Sequence, residues 1–259
     1  MELKESLERR VVLEDTELWN QSDRYMAKVN RKYKRYLEGL DGFTFFYDHV
    51  NCIHKTMPKI THRGEHHGNN LWLKVSRKGS KKHLQNFISK IEHFGFKRVQ
   101  IVDSSKRGVF SINLICQSIC KIFDIGIKVL VLKDIVLYTR PFRTLFSRLK
   151  DTESIKLYSC RFELQKIYMN PATNYKICSI SLHKCCSSSQ NVMKFDDTEF
   201  QLLLKLFTMK NITRNLTTLD ITMDISPEQI EQVEGSFSLL DQVEVNVRDC
   251  KILYDEWGM

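Results

Sequence analysis

The sequence predicts an α/β fold with a parallel β-sheet on one side and helices on the other. Three observations lead to this prediction. A short phrase recurs along the chain: two apolar residues separated by one residue, then a small or thiol residue three places on. The copies follow one another at nearly regular intervals, and segments with the apolar period of a helix lie between them. Strands that alternate with helices in this way form parallel sheets.

The phrase is clearest at Ile180, Leu182 and Cys185. Leucine-rich repeats have periods of roughly 20–29 residues, and longer spacings indicate insertions. The sequence therefore predicts an irregular leucine-rich-repeat-like solenoid, in which neighbouring strands share one core. An ordinary α/β domain with evenly placed strands is the alternative, because three copies lack a further apolar residue in front. The copies start at Leu73, Val99, Leu130, Ile155, Ile180, Leu219 and Val245, which are 26, 31, 25, 25, 39 and 26 residues apart.

The first forty residues differ from the rest, and 1–40 is interpreted as a separate helical segment. After a cap at Ser22 and Asp23, apolar residues recur on one helical face while basic residues lie mostly off it. This stripe favours a helix packed on another surface over a helix that binds nucleic acid. The four residues of the stripe are Met26, Val29, Tyr33 and Leu37, and an earlier stripe comprises Leu3, Leu7, Val11 and Val12.

Residues 43–259 are predicted to form the second domain. A strand-forming segment, 43–50, opens it, and a polar loop follows from Pro58 to Asn70. A serine-rich surface loop from Lys184 to Val192 accounts for the longest spacing. Helices are predicted over 82–94 and 109–123, near Pro141, after Asp196-Asp197 and after Ser226-Pro227.

The residues between the apolar positions of each strand are predicted to point outward, because strand side chains alternate. Stacked strands would place them side by side as a shallow face that mixes charged, hydroxyl and aromatic side chains. Such a face suits a protein segment better than a small substrate, although a plain solvated surface remains the alternative. The predicted outward residues also include Val129 and Val131. The predicted substrate-binding residues are Arg98, Gln100, Lys133, Lys156, Tyr158, His183, Asp220, Asn246 and Arg248.

The chain carries a net charge of +9, and the excess is concentrated in one segment. From His54 to Arg107 there are thirteen basic residues against three acidic ones. Such a patch can meet phosphate or an acidic protein, or it can be a solvated face. It provides the alternative function: a basic repeat protein that binds nucleic acid through residues 55–107.

Neither an enzyme nor a cofactor is predicted. The sequence has no glycine-rich phosphate loop, no Gly-x-Ser-x-Gly elbow and no His-Glu-x-x-His pair. Cys185 with His183 nearby could be interpreted as a nucleophile, but position 185 matches the structural thiol of the repeat. Site residues far apart in sequence would escape this reasoning, so an enzyme stays possible.

No metal site is predicted either. The histidine-rich loop offers His62, Glu65, His66 and His67, but Gly64 discourages the helix that would align positions 62 and 66. A polar surface loop is the expected structure there.

The composition predicts an intracellular protein, cytoplasmic or nuclear, without a membrane span. No stretch approaches ~18 unbroken apolar residues, and the first residues do not resemble a signal peptide. The eight cysteines are interpreted as reduced thiols. Three of them, Cys160, Cys185 and Cys250, occupy the inward-turning position of the repeat.

Residues Asp23 to Tyr36 resemble the back half of an F-box. Together with segment 43–50 and the irregular repeats, they resemble F-box proteins with an FTH-type substrate domain, a family heavily expanded in nematodes. The resemblance implies an adaptor: the F-box helices dock on a Skp-type adaptor of a cullin-based, SCF-type ubiquitin ligase, and the repeats present an unknown protein substrate. The residues that match the F-box core are Met26, Val29 and Tyr33, followed by Leu37. The box is partial, because the usual Leu-Pro is missing and the first proline is Pro58.

Overall fold

The computed structural model describes residues 43–49, 53–58, 69–76, 79–91, 95–103, 126–165, 173–187, 195–238, 240 and 242–249. These residues form twelve strands and five helices. The strands are β1 (Phe43–Asp48), β2 (Ile53–Pro58), β3 (Asn69–Val75), β4 (Phe96–Asp103), β5 (Val129–Lys133), β6 (Val136–Tyr138), β7 (Ser154–Tyr158), β8 (Arg161–Glu163), β9 (Ser179–His183), β10 (Cys186–Ser187), β11 (Thr218–Met223) and β12 (Glu244–Asp249). The helices are α1 (Lys81–Ile91), α2 (Thr139–Arg148), α3 (Asp197–Phe207), α4 (Lys210–Thr213) and α5 (Pro227–Phe237).

Nine of the strands form one mostly parallel sheet in the order β12-β11-β9-β7-β5-β4-β3-β1-β2. Only β1 and β2 pair antiparallel within it. The short strands β6, β8 and β10 form a second, parallel sheet. From β3 to β12, the strands of the large sheet stand side by side in the order in which the chain makes them. The predicted α/β class with a parallel sheet is confirmed.

The register aligns the copies of the repeated phrase. Ile155 lies opposite Leu130 on one side and Ile180 on the other. The same ladder continues to Val99, Leu219 and Val245.

One predicted start was wrong. Val99 lies opposite Leu71 and not Leu73, so the first copy begins two residues earlier and the first spacing is 28 residues. A shift of two residues keeps every side chain on its own face, and the apolar alternation therefore cannot detect it.

The helices and the apolar strand positions enclose one hydrophobic core. In α1, the four residues predicted to share a face, Leu84, Phe87, Ile88 and Ile91, are all buried. Full burial of such a side chain contributes roughly 1.5–3 kcal/mol. The apolar sides of the described helices therefore belong to the same core as the inward side chains of the large sheet. The polar loop predicted from Pro58 to Asn70 is shorter at both ends, because Pro58 ends β2 and Asn69 begins β3. Residues 59–68, the predicted helix over 109–123 and the segment 1–40 lie outside the described residues.

The helix caps predicted at Asp196 and at Ser226 are present. The Asp196 carboxylate accepts hydrogen bonds from the backbone N–H groups of Thr198 and Glu199, at 2.9 and 3.2 Å. Ser226 and Gln229 form a reciprocal capping box at the start of α5. Each cap satisfies backbone donors that the first helical turn leaves without partners.

A left-handed residue follows each of the strands β5, β7 and β9. Asp134, Ser159 and Lys184 have φ values of 58°, 49° and 52°. Their backbone N–H groups donate to carbonyl oxygens of the neighbouring strand of the large sheet, β7, β9 and β11, at 2.9, 2.8 and 2.7 Å respectively. These hydrogen bonds hold a conformation that non-glycine residues rarely adopt. The turn sends the next residue into the core, at the position that the phrase assigns to its thiol.

The thiols at this position are packing groups. Cys160 and Cys185 are buried, and their Sγ atoms donate to the carbonyl oxygens of Leu132 and Leu157, at 3.5 and 3.4 Å. Burial raises the pKa of the Cys185 thiol well above its ordinary value, and the neighbouring Cys160 adds to this effect. A buried, protonated thiol is a poor nucleophile, so the structural interpretation of Cys185 is the correct one. Cys250 lies outside the described residues.

A buried carboxyl group, that of Glu199 in α3, is expected to make stability depend on pH. Its Oε1 accepts a hydrogen bond from the Leu164 N–H at 2.9 Å, and the residue is 8% exposed. Burial raises the pKa of Glu199 above its ordinary 4.5, although the nearby Ser187 hydroxyl and the hydrogen bond from the Leu164 N–H oppose the shift. The folded state therefore holds this proton more tightly than the unfolded state, and stability falls as pH rises through 4.5 to the higher folded-state pKa.

We expect Glu199→Gln to keep the acceptor for the Leu164 N–H while removing the buried charge. Urea unfolding at a series of pH values should show a smaller loss of stability above pH 4.5 in this variant than in the parent. Glu199→Ala is the control: it leaves the buried Leu164 N–H without an acceptor and should cost roughly 1–3 kcal/mol. Parallel pH profiles for Glu199→Gln and the parent would contradict the assignment.

Candidate binding face of the nine-stranded sheet

The side of the large sheet that faces away from the helices is called the open face below. Its side chains alternate with the core positions and stand in three rows set by the strand register. The first row contains Asn70, Arg98, Val129, Ser154, Ser179, Thr218 and Glu244. The middle row contains Phe46, Trp72, Gln100, Val131, Lys156, Ser181, Asp220 and Asn246. The third row contains Lys74, Val102, Lys133, Tyr158, His183, Thr222 and Arg248.

All nine predicted substrate-binding residues lie in these three rows. Lys133 and Arg248 are exposed, and the other seven are half-buried: Arg98, Gln100, Lys156, Tyr158, His183, Asp220 and Asn246. The structure thus brings together, on one face, residues that are up to 150 positions apart in the sequence. Their role in binding stays a prediction.

Two residues of the rows were expected to be exposed to solvent but are buried. Val129 and Val131 point away from the core, yet they are only 4% and 3% exposed. Long polar side chains stand on both flanking strands, Arg98 and Gln100 on β4 and Lys156 on β7, and stems of this kind can cover a small apolar residue. The open face is therefore not uniformly polar, because Val129 and Val131 form a buried apolar site on β5.

Trp72 belongs to this face and was missed by the sequence reasoning. It is 38% exposed, and it is the one exposed large apolar side chain in the part of the chain that the structure describes. Phe46 on β1 stands next to it in register. The outward rows were predicted only from the copy at Val99 onward, so the strand that carries Trp72 was left out of them.

The half of the face formed by β9, β11 and β12 carries a hydrogen-bonded polar cluster. Asp220 accepts from the Ser181 hydroxyl at 3.3 Å and from the Asn246 amide at 3.2 Å. The same amide also donates to Glu244, at 3.3 Å. These hydrogen bonds hold the Asp220 carboxylate in one orientation. Together with Glu244, it places two negative charges on β11 and β12.

An aromatic pair lies between the two halves of the face. The rings of Tyr158 and His183 meet edge to face with centroids 5.8 Å apart. Burial lowers the pKa of His183 below its ordinary 6.5, and Lys184 lowers it further. The imidazole is therefore neutral at pH 7 and contributes a hydrogen-bonding aromatic surface, not a positive charge.

Four cations on the face, Arg98, Lys133, Lys156 and Arg248, form no ion pair with any described residue. The Nε atom of Arg98 is buried and has no hydrogen-bond partner within the same part of the structure. Other lysines do have acidic partners: Lys74 contacts Asp48 at 3.0 Å, Lys176 contacts Asp151 at 2.7 Å, and Lys128 contacts Glu153. Three of the four unpaired cations, on β4, β5 and β7, form a basic zone in the middle of the face.

The basic segment 55–107 does not form one surface where it is described. Lys82 is exposed on α1, in the helical layer, whereas Arg98 stands on the open face. Lys74 is also on the open face, where Asp48 pairs with it. These positions weaken the case for one continuous phosphate-binding patch, although several basic residues of the segment lie outside the described residues.

Comparisons with protein-family models, with curated proteins and with solved structures find no match for this chain. In the described residues, no cluster of three or more His, Cys, Asp or Glu side chains could hold a metal ion. The histidine-rich loop with His62, Glu65, His66 and His67, for which no metal site is predicted, lies outside those residues. No helix in the described ranges is both long enough and apolar enough to cross a membrane.

Proposed function

We propose that this chain is a non-catalytic substrate-recognition protein that holds a protein segment on the open face. The observation that supports this proposal most directly is the register, which collects the nine predicted residues on one continuous surface opposite the helices. A shallow surface of mixed charge and aromatic groups suits a polypeptide, whereas small substrates are usually enclosed in concave, mostly apolar pockets.

We further propose that the architecture is a leucine-rich-repeat-like solenoid. Three features repeat in the units of β5, β7 and β9: a strand of the large sheet, a left-handed residue after it, and a buried residue leading into a short strand of the second sheet. Each unit packs mainly on its sequence neighbours, as repeat proteins require. The exposed strand face of such an array is a common location for binding protein partners.

The second part of the proposal is that residues 1–40 dock on a Skp-type adaptor, so that the chain brings its substrate to a cullin-based, SCF-type ubiquitin ligase. These residues lie outside the described structure, and the support is the apolar stripe of Met26, Val29, Tyr33 and Leu37 in the sequence. An intracellular location, in the cytoplasm or the nucleus, is part of this proposal.

A pull-down with a purified Skp-type adaptor tests the docking. The full chain should capture the adaptor, and Val29→Asp should abolish capture because it places a charge in the apolar stripe. Lys28→Asp is the matched control, since it changes the neighbouring residue that lies off the stripe, and it should retain most of the capture. No capture by the parent chain would remove the ligase role.

A further inference from the structure

The charge pattern of the open face identifies the kind of segment that it would hold. We propose that the open face binds an extended acidic protein segment that carries an apolar or aromatic anchor. The anchor contacts Trp72, and the acidic side chains contact the basic zone of Arg98, Lys133 and Lys156. This inference rests on the proposed protein-recognition role of the face, but not on the connection to a ligase.

The basic zone supplies the charge complementarity. Arg98, Lys133 and Lys156 stand on consecutive strands of the sheet, β4, β5 and β7, in the first, third and middle rows. None of the three forms an ion pair with a described residue, although the charge of Lys133 lowers the pKa of the adjacent Asp134 against the effect of burial. Carboxylates of a ligand would give these groups the charge-assisted hydrogen bonds that the chain does not provide.

The anchor position follows from the same rows. Trp72 and Lys156 share the middle row and are three strands apart. Neighbouring strands are about 4.8 Å apart, so the two side chains are separated by about 14 Å. An extended polypeptide spans this distance with about four residues. The acidic positions of the ligand should therefore begin within about four residues of its apolar anchor.

The far end of the face favours a polypeptide over a nucleic acid. Asp220 and Glu244 stand on β11 and β12 and would repel a phosphate backbone that crosses the sheet. Ser181, Asp220 and Asn246 instead offer hydroxyl, carboxylate and amide groups to the backbone of a peptide. The face thus has its apolar group at β3, three unpaired cations in the middle, and carboxylates at β11 and β12, where Arg248 adds one further cation.

Fluorescence anisotropy with the full chain tests this inference. The probe is a labelled peptide of about nine residues, long enough to cross from β3 to β12, with one phenylalanine followed by a run of glutamates. A matched peptide has glutamines in place of the glutamates, and a single-stranded oligonucleotide of similar charge is the third ligand. We expect the glutamate peptide to bind at least about tenfold more tightly than the glutamine peptide, and more weakly as salt is added.

Charge reversals locate the site. Lys156→Glu and Lys133→Glu should each raise the Kd of the glutamate peptide about tenfold, and Trp72→Ala should also raise it. Lys82→Glu is the matched control, because it makes the same change of charge at an exposed lysine of the helical layer, and it should change the Kd less than about twofold. Thermal melting checks that each variant remains folded.

Three results would overturn the inference: equal binding of the two peptides or no binding of either, an equal effect of Lys82→Glu and Lys156→Glu, or an oligonucleotide that displaces the peptide. The outcome is separable from that of the adaptor pull-down. Adaptor capture without preference for the glutamate peptide leaves the ligase role and removes this ligand class. Peptide binding without adaptor capture keeps the recognition face and removes the ligase role.

Discussion

Phe162→Ala is expected to lower the free energy of unfolding by about 3–5 kcal/mol, the largest effect of any substitution considered for this chain. Phe162 is fully buried on β8, in the three-stranded sheet. Its ring meets those of Phe142 in α2 and Phe195 just before α3, with centroids 5.9 and 5.5 Å apart. Removing it opens a cavity at the junction of the second sheet and two helical segments, which surrounding side chains can fill only in part.

Equilibrium unfolding in urea, followed by far-ultraviolet circular dichroism, measures this effect. The control is Arg161→Ala, one residue earlier on the same strand, where the side chain is exposed. It should change the free energy of unfolding by no more than about 0.5 kcal/mol. If the two variants were equally stable, β8 would not be oriented as described.

Leu157→Ala, in the middle of the large sheet, is expected to cost about 2–5 kcal/mol. Leu157 is 1% exposed and lies between Leu132 and Leu182 in the inward row. Its neighbour Lys156 points to the open face. Lys156→Ala should therefore alter stability by less than about 1 kcal/mol, because it removes a half-buried side chain that has no ion pair.

The same pair of variants separates folding from binding. Lys156→Ala should weaken the binding of the glutamate peptide, while Leu157→Ala should leave its affinity nearly unchanged at temperatures where the variant is folded. Urea unfolding and anisotropy titrations on the same preparations provide both readouts. A large loss of stability in Lys156→Ala would mean that β7 does not present the two faces assigned to it.

The large sheet was predictable because apolar and polar residues alternate along each strand, so the sequence of the strand distinguishes its inward side from its outward side. Alternation at Ile155 and Leu157, repeated at Ile180 and Leu182, gives the strand, the inward side and the spacing to the next copy. The short strands of the second sheet were not predicted. Segments of two or three residues, such as Cys186–Ser187, are too short to show any period. The antiparallel strand β2 was missed as well, because it lies outside the repeated phrase.

The membership of the open face was predictable from the sequence, but the surroundings of its side chains were not. The outward position of His183 follows from alternation, whereas its contact with Tyr158 depends on which strands are neighbours. Val131 is buried although alternation places it on the outward face, and no local pattern in the sequence predicts this burial. The omission of Trp72 has a different cause: outward residues were predicted only from the copy at Val99 onward, although alternation with Leu71 and Leu73 places Trp72 on the same face.

The order of the strands along β3 to β12 bears on how such a chain can change over evolution. Because each strand pairs with its sequence neighbours, deleting or duplicating one unit disturbs two junctions and leaves the other pairings in place. Each such event would shorten or lengthen the platform by one strand spacing, about 4.8 Å. Gain or loss of single units would then match the length of the open face to ligands of different length, while the rest of the fold is kept.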